Sequence, residues 1–281
     1  MKKEKLLIFI VAYNHEKTIK NVIDRIPKNL KNIYNLEILI IDDNSQDNTF
    51  EISKKIKTYY AKKNIFKINI FYNPTNQGYG GNQKLGYHYA IKKNFKYVVL
   101  LHGDGQYAPE VLPKLLNETK KNNIVMGSRM INKKLALKGG MPIYKFVGNI
   151  ILTKIQNFLL TTNLAEFHTG YRIYLVKSLK KIPFYLNTND FHFDTEILIQ
   201  LVISRDVIKE ISIPTFYGDE ICHVNGIKYA FNVLRMTLVA KLQKIFKFSL
   251  TDKFNVEKKT KRYFLSYKKV DNLLNLSMKR K

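Results

Sequence analysis

The sequence predicts an α/β fold, a mostly parallel sheet with helices on both faces, and three observations carry that prediction. Short β-rich runs alternate with stretches of helical spacing through the first half of the chain. The β-rich runs are continuously apolar instead of alternating, as strands covered on both faces are. Each run ends in a segment rich in Gly, Asn and Asp, where the chain turns toward the next helix. A βαβα order with right-handed crossovers follows.

The first run is Leu6–Ala12. The basic start before it resembles a secretory leader. The apolar run is short, however, no small-residue cleavage site follows, and a helical pattern begins at once, so it reads as a buried strand. Glu16–Ile26 has helical spacing, Leu36–Ile41 is the second strand, and Asp47–Ala61 the next helix, with Ser45, Asp47 or Asn48 as its cap. Lys67–Tyr72 is the third strand and Gly80–Lys93 the following helix. NQGYGGNQK, at the start of that helix, fits neither G-x-x-x-x-G-K-[ST] nor G-x-G-x-x-G, so its glycines are expected to bring the helix close to the sheet. Tyr97–His102 is the fourth strand. Beyond it, Asn123–Arg129, Tyr171–Val176 and Ile208–Pro214 read as strands and Asp194–Ser204 as a helix. Ile143–Leu160 and Ile227–Phe246 are amphipathic helices, the second carrying Lys228, Arg235, Lys241, Lys244 and Lys247. From about Asp252 the chain reads as a basic tail, mobile or weakly helical. The expected division is a domain over 1–225 and a C-terminal helix with tail over 226–281.

Of the 281 residues, 48 are Lys or Arg and 22 Asp or Glu, a formal net charge of +26. Such a charge favours an anionic partner. Lys, Ile and Asn are over-used along the whole chain, so the charge alone does not choose among nucleic acid, acidic lipid and phosphorylated ligands. Nucleic acid is not expected: there is no binding motif and no Trp, and the basic residues are widely spread. A membrane span needs about 18 uninterrupted apolar residues, and Ile143–Leu160 is broken by Lys145, Asn149, Lys154 and Gln156. The single Cys222 excludes an internal disulfide framework and a cysteine zinc site, and a reducing, cytoplasmic setting is expected.

In sheets of this kind ligands bind beyond the carboxyl ends of the strands. The segments there are AYNHEKT, DDNSQDNT, NPTNQGYGG and HGDGQYAPE. In the last, His102, Asp104 and Gln106 are two residues apart, so an extended backbone would put them on one side. Two oxygen donors and an imidazole can hold a divalent ion and leave positions open for a diphosphate. The alternative is a strand-to-helix turn, with Pro109 opening the next helix and Asp104 capping it.

Taken together, AYN, DDNS-x-D-x-T, N-x-G and D-x-Q, in this order and spacing, resemble the family-two glycosyltransferases. The narrower resemblance is to the polyprenyl-phosphate sugar transferases of the dolichyl-phosphate mannosyltransferase type. GSR at Gly127–Arg129, TGYRIY at Thr169–Tyr174, FHFDTEIL at Phe191–Leu198 and Ile213–Pro214 extend it over residues 5 to 245. It implies a GT-A-type nucleotide-sugar-binding fold. The implied reaction is inverting transfer of a hexose, mannose or glucose, from a nucleotide-diphosphate sugar to polyprenyl phosphate.

By the same resemblance, Val11, Tyr13, His15, Ile41 and Asp43 face the nucleotide, with Val11 where proline is usual and His15 where glutamate is usual. His102, Gly103, Asp104 and Gln106 face the sugar diphosphate. A divalent cation, Mn2+ or Mg2+, is expected on Asp104, Gln106 and His102, with His102 in place of the family's first Asp. Arg129 and Lys145 are expected to hold the acceptor phosphate, and Asp104 and Arg129 to be catalytic. The family's basic loop after the Ile-Pro strand is here YGDEICHVNG, with Asp219 and Glu220; His223 or Lys228 would substitute. A lipid acceptor implies peripheral contact at the inner face of the membrane, made by the two amphipathic helices; otherwise their apolar stripes pack on the sheet. A glycan or other hydroxyl acceptor would instead demand a base, with Glu196, Asp194 and Glu166 as candidates. A non-catalytic descendant of the fold is the reading that His102 prompts.

Overall fold

Among the described residues seven strands form one sheet: β1 (Lys5–Ala12), β2 (Asn35–Asp42), β3 (Lys67–Tyr72), β4 (Tyr97–His102), β5 (Ile124–Ser128), β6 (Arg172–Leu175) and β7 (Ile208–Ser212), in the order β3-β2-β1-β4-β6-β5-β7. The computed structural model describes residues 2–214, 216–217 and 224–279; Cys222 and the loop residues Asp219, Glu220 and His223 lie outside the described residues. β1 pairs in parallel with β2 and β4, as β2 does with β3 and β5 with β7. β6 alone runs antiparallel, between β4 and β5.

Alternation along the buried strands sorts the core into two halves. Leu7, Phe9 and Val11 of β1 face one side, and Leu6, Ile8 and Ile10 the other. The second side is covered by α1 (Ile19–Asp24), α2 (Leu30–Ile33), α3 (Thr49–Lys62) and α5 (Leu112–Glu118). The first is covered by α4 (Tyr79–Lys92), α8 (Val176–Lys181) and α9 (Phe193–Ile203). The glycines of NQGYGGNQK do not meet the sheet as expected: a Cβ on Gly78 or Gly80 would lie 2.6 Å from the backbone oxygen of Asn189 or Thr188, in the loop before α9, and the close approach to the sheet comes at Gly86, just beyond that segment. A Cβ on Gly86 would lie 2.2 Å from the Phe9 ring, so only glycine lets α4 lie this close to β1.

α6 (Lys133–Lys138) and α7 (Ile143–Leu160) follow β5, and α10 (Gly226–Phe246) follows β7. α7 and α10 pack against each other, and α7 is inside out. Its buried side carries Asn149, Thr153, Gln156 and Leu160, whereas Ile143, Tyr144, Val147, Ile151 and Phe158 are exposed, Phe158 to 82%. α10 likewise buries Val233, Thr237 and Ala240 and exposes Ile227 (86%), Phe231 (66%) and Phe246. The expectation that the apolar stripes pack on the sheet therefore fails for most of their length. Of the buried polar groups, Thr153 Oγ1 donates to Asn149 Oδ1 at 3.1 Å, and Thr237 Oγ1 to the backbone carbonyl of Val233 in its own helix at 2.8 Å.

The C-terminal segment also departs from expectation. It forms a 19-residue helix, α11 (Lys261–Lys279), instead of a mobile tail. Tyr263, Val270 and Leu274 enter the same core half as Phe9, and Asp271 reaches His88 Nε2 at 2.9 Å and Lys92 Nζ at 2.7 Å on α4. The apolar spacing of 263, 270 and 274 is helical, but lysines on both sides mask it.

Candidate active site

The loops after β1 and β2 are laced together. Asn14 N donates to Ser45 Oγ (2.9 Å), His15 N to Thr49 Oγ1 (2.7 Å) and Glu16 N to Asp47 Oδ2 (3.0 Å). In return Gln46 N donates to Asn14 Oδ1 (2.8 Å) and Asn48 N to Glu16 Oε2 (3.0 Å). The turns need Asn14 and Asn44 at positive φ, 57° and 64°, a conformation Asn tolerates. Of the predicted caps, Asp47 serves the start of α3, its Oδ1 accepting from Thr49 N at 2.9 Å.

Asp42 and Asp43 end β2 with different roles. Asp43 Oδ1 accepts from Asn73 Nδ2 at 2.7 Å and Gln77 N at 2.8 Å, both from the loop after β3; burial raises its carboxyl above the ordinary value despite these bonds. Asp42 is fully buried, with Oδ1 on Ser45 N at 2.7 Å and Oδ2 without a partner among the described residues. Burial, aided by Asp47 and Asp43, pushes its carboxyl up to about 6. Ile41 offers the site only backbone: its side chain is core and its carbonyl accepts from Asn82 Nδ2 at 3.0 Å. Val11 is likewise core and presents its carbonyl to Gly103 N at 3.0 Å. Tyr13 is half-buried in the same loop.

The HGDGQ segment turns instead of staying extended, because Gly105 has φ +82°. Asp104 Oδ1 accepts from Gln106 N at 2.9 Å, closing that turn. Asp104 does not cap the short 3-10 helix that Pro109 opens. The turn leaves Asp104 Oδ2 facing His102 Nδ1 at 3.8 Å. On the ring's other side His102 Nε2 lies 2.9 Å from Tyr79 Oη, which donates to Asp194 Oδ2 at 2.8 Å. Tyr79 has one proton. Given to Asp194, it makes the oxygen an acceptor, so His102 donates to it from Nε2, and Nδ1 is the ring nitrogen that faces Asp104. Burial raises the Asp104 carboxyl, but His102, the Gln106 amide and His15 together hold it below the ordinary value. Two glycines make room. A Cβ on Gly103 would lie 2.6 Å from the His15 ring, and one on Gly170 2.4 Å from His102 Nε2.

Among the described residues no three His, Cys, Asp or Glu side chains converge on one point. Asp104 Oδ2 and His102 Nδ1 remain a compatible pair of donors for a divalent ion that takes its other ligands from a diphosphate.

Arg129, at the end of β5, does not enter the site as a free cation. Nε donates to Glu166 Oε1 at 2.8 Å, Nη1 to Tyr217 Oη at 2.8 Å and Nη2 to His168 O at 3.0 Å, with a further ion pair from Nη2 to Glu166 Oε1. Burial opposes both charges, yet each holds the other: the Arg129 pKa is raised and that of Glu166 lowered. Lys145 Nζ lies 5.6 Å over the Tyr217 ring, so the two basic residues expected together do meet, across one tyrosine. Asn149 of α7 donates to Glu166 Oε1 at 2.8 Å, tying the inside-out helix to the ion pair.

The base candidates are all engaged. Glu166 is on Arg129 and Asn149. Asp194 accepts from Tyr79 and from Gln83 Nε2 at 3.1 Å. Glu196, fully buried, accepts from Thr188 N at 2.6 Å and Lys253 Nζ at 2.5 Å. Tyr79, Asn73 and Asn149 were not among the expected site residues. Tyr79 and Asn73 lie in the loop segment quoted after the third strand, but neither residue type announces its partner. Lys228 lies at the start of α10, whose cap is Asn225 Oδ1 on Lys228 N at 3.1 Å.

Residues 7–183 match the model of the family described as Glycosyl transferase family 2. The chain is 29% identical over 255 residues to the UDP-N-acetylglucosamine–dolichyl-phosphate N-acetylglucosaminyltransferase of Methanococcus voltae, covering 86% of this chain and 98% of that one. It is 23% identical to the polyprenol monophosphomannose synthase of Mycolicibacterium smegmatis, over 64% of either chain. Among solved structures it superposes on glucosyl-3-phosphoglycerate synthase from Mycobacterium tuberculosis, in complex with Mn2+, UDP-glucose and phosphoglyceric acid. The TM-score is 0.61 at 14% identity, covering 85% of this chain and 80% of the other.

Proposed function

The chain belongs to glycosyl transferase family 2 and has a GT-A fold, and from that premise we propose that it transfers a hexose, such as mannose or glucose, from a nucleotide-diphosphate sugar to polyprenyl phosphate at a membrane surface. The observation that carries the lipid acceptor is the inside-out helix α7. It exposes Ile143, Tyr144, Val147, Ile151 and Phe158 while Asn149 on its buried side grips Glu166, the partner of Arg129. An apolar face of this kind, with Lys145, Lys154, Lys228, Arg235 and Lys241 on α7 and α10, suits an anionic bilayer interface. Among the described residues no helix is long and apolar enough to cross a membrane, and the proposed contact is a peripheral one made by these two helices.

A phosphate acceptor also suits the carboxylates. A phosphate monoester is already largely anionic at neutral pH, with a second pKa of about 6. It needs positioning and charge neutralisation more than a general base. Each carboxylate that could have served a hydroxyl acceptor as base is held by donors. The acceptor oxygen bonds to the anomeric carbon as the bond to the diphosphate breaks, which inverts that centre and releases the nucleoside diphosphate. Asp104 and His102 would hold a divalent cation, which when bound neutralises charge developing on the leaving diphosphate. Asp43 and the laced loops of Tyr13 and His15 hold the nucleotide. Lys145, over the Tyr217 ring, and Arg129, through the guanidinium N–H that Glu166, Tyr217 and His168 leave over, orient the acceptor phosphate; the Glu166 carboxylate keeps the guanidinium plane fixed.

The deciding assay offers purified protein UDP- and GDP-activated mannose, glucose and N-acetylglucosamine, each radiolabelled, with polyprenyl phosphate in anionic vesicles and Mn2+. Chloroform-soluble label from one donor is the expected result. Label that stays water-soluble with every donor, while nucleotide is released to phosphoglycerate or a glycan, would sink the lipid acceptor.

A further inference from the structure

Helix α11 reaches the nucleotide end of the sheet through one buried chain of hydrogen bonds. Ser277 Oγ lies 2.8 Å from Asn73 Oδ1, across 204 positions of sequence, and Asn73 Nδ2 donates to Asp43 Oδ1 at 2.7 Å. Asn73 and Ser277 are fully buried and Asp43 is 3% exposed. Chemistry sets the direction of the chain. The Asp43 carboxylate takes donors, so Asn73 must turn its NH2 toward Asp43 and its carbonyl toward Ser277. Ser277 has a single hydroxyl proton, with Asn73 Oδ1 and Leu273 O (2.9 Å) both in reach. Leu273 O is already served by the helix's own backbone N–H, so the proton goes to Asn73.

We propose that Ser277 is a positioning residue for donor binding. Through Asn73 it fixes the plane of the Asp43 carboxylate, so that α11 sets nucleotide affinity and base discrimination. The proposal rests on Asp43 being a nucleotide-binding residue. Three features fit the role. α11 is fastened nearby by Asp271 on His88 and Lys92 and by Leu274 in the core. Asn73 is the side-chain donor to Asp43, whereas the other donors, the backbone amides of Gln77 and Gly78, belong to the loop itself, so Asn73 is the contact through which α11 reaches the carboxylate. Without the Ser277 proton, Asn73 Oδ1 is a buried acceptor with no donor, and amide rotation then withdraws the NH2 from Asp43.

The test titrates the full chain with UDP and GDP in the presence of Mn2+ by calorimetry, with thermal melting as the control for folding. For Ser277→Ala we expect the preferred nucleotide to bind about 5–10-fold more weakly, as loss of one buried hydrogen bond implies. Donor KM should rise in step while kcat stays within about twofold, and the preference for one base over the other should narrow. Ser277→Thr, which keeps the hydroxyl, should restore both. Asn73→Ala with Ser277→Ala should bind no more weakly than Asn73→Ala alone. A folded Ser277→Ala protein with unchanged affinity and base preference overturns the proposal, as does an additive double variant or a fall in kcat at constant KM. If the wild type binds neither nucleotide, the reading of Asp43 itself fails, a different outcome from a wild type that binds and a variant that binds equally well.

Discussion

Arg129 and Glu166 are joined twice: Glu166 Oε1 meets the guanidinium, and Oε2 accepts the backbone N–H of Arg129 at 2.9 Å. One carboxylate thus fixes both the side chain and the main chain at the end of β5, where the acceptor phosphate is proposed to lie. Removing one charge of a buried pair strands the other. Glu166→Ala is expected to cost about 3–5 kcal/mol in denaturant unfolding, and Arg129→Met with Glu166→Leu less than that. A double variant as unstable as Glu166→Ala would mean that packing, not charge, holds this corner.

Asp42 makes a pH prediction. Its folded-state carboxyl, at about 6, lies above the value in an unfolded chain. The folded protein keeps this proton where the unfolded chain has lost it. The contribution is therefore fully present below the unfolded value and is lost as pH rises from about 4 to about 6. Asp42→Asn removes the buried charge, and should flatten that slope and gain up to about 3 kcal/mol at pH 7.5. Parallel denaturation curves for both proteins between pH 4 and 8 check the sign; a constant difference across that range contradicts it.

Tyr79→Phe removes the hydroxyl that joins His102 to Asp194. A group that hydrogen-bonds the far side of a metal ligand typically matters about 10–100-fold in affinity. Spin-resonance titration with Mn2+ and a nucleoside diphosphate should show weakening in that range, and Asp104→Ala should abolish binding. Unaltered Mn2+ affinity in Tyr79→Phe would remove His102 Nδ1 from the ligand set.

Gly86→Ala drives a methyl into the Phe9 ring and should cost about 3 kcal/mol, at the upper end of overpacking penalties. Phe9→Leu in the same chain should recover part of that loss in thermal melting, since it frees the space the methyl needs.

Much of the fold was legible in the sequence. β3, β4 and α7 have the ends that periodicity implied, and the other strands differ by one or two residues, because continuous apolar runs and turn residues are local signals. The four loops at the strand ends were legible too, since strand order in a parallel sheet brings such loops to one edge. What they do there was less so. The spacing puts His102, Asp104 and Gln106 on one side of an extended backbone, but one positive φ at Gly105 turns the chain, and Tyr79, from another loop, sets the imidazole. Arg129 was read as a cation for phosphate, but its partner lies 37 residues on and was itself read as a candidate base.

The sequence by itself determined the strands, the class of fold and the chemistry gathered at the strand ends, because burial and turning leave a mark within a few residues. Only the tertiary structure decided which charges are spent on each other, which side of α7 is buried and that α11 docks beside Asp43. Those outcomes depend on which surfaces the sheet order brings into contact. A hydroxyl at position 277 carries no sign of an amide at position 73 until the chain has closed on itself.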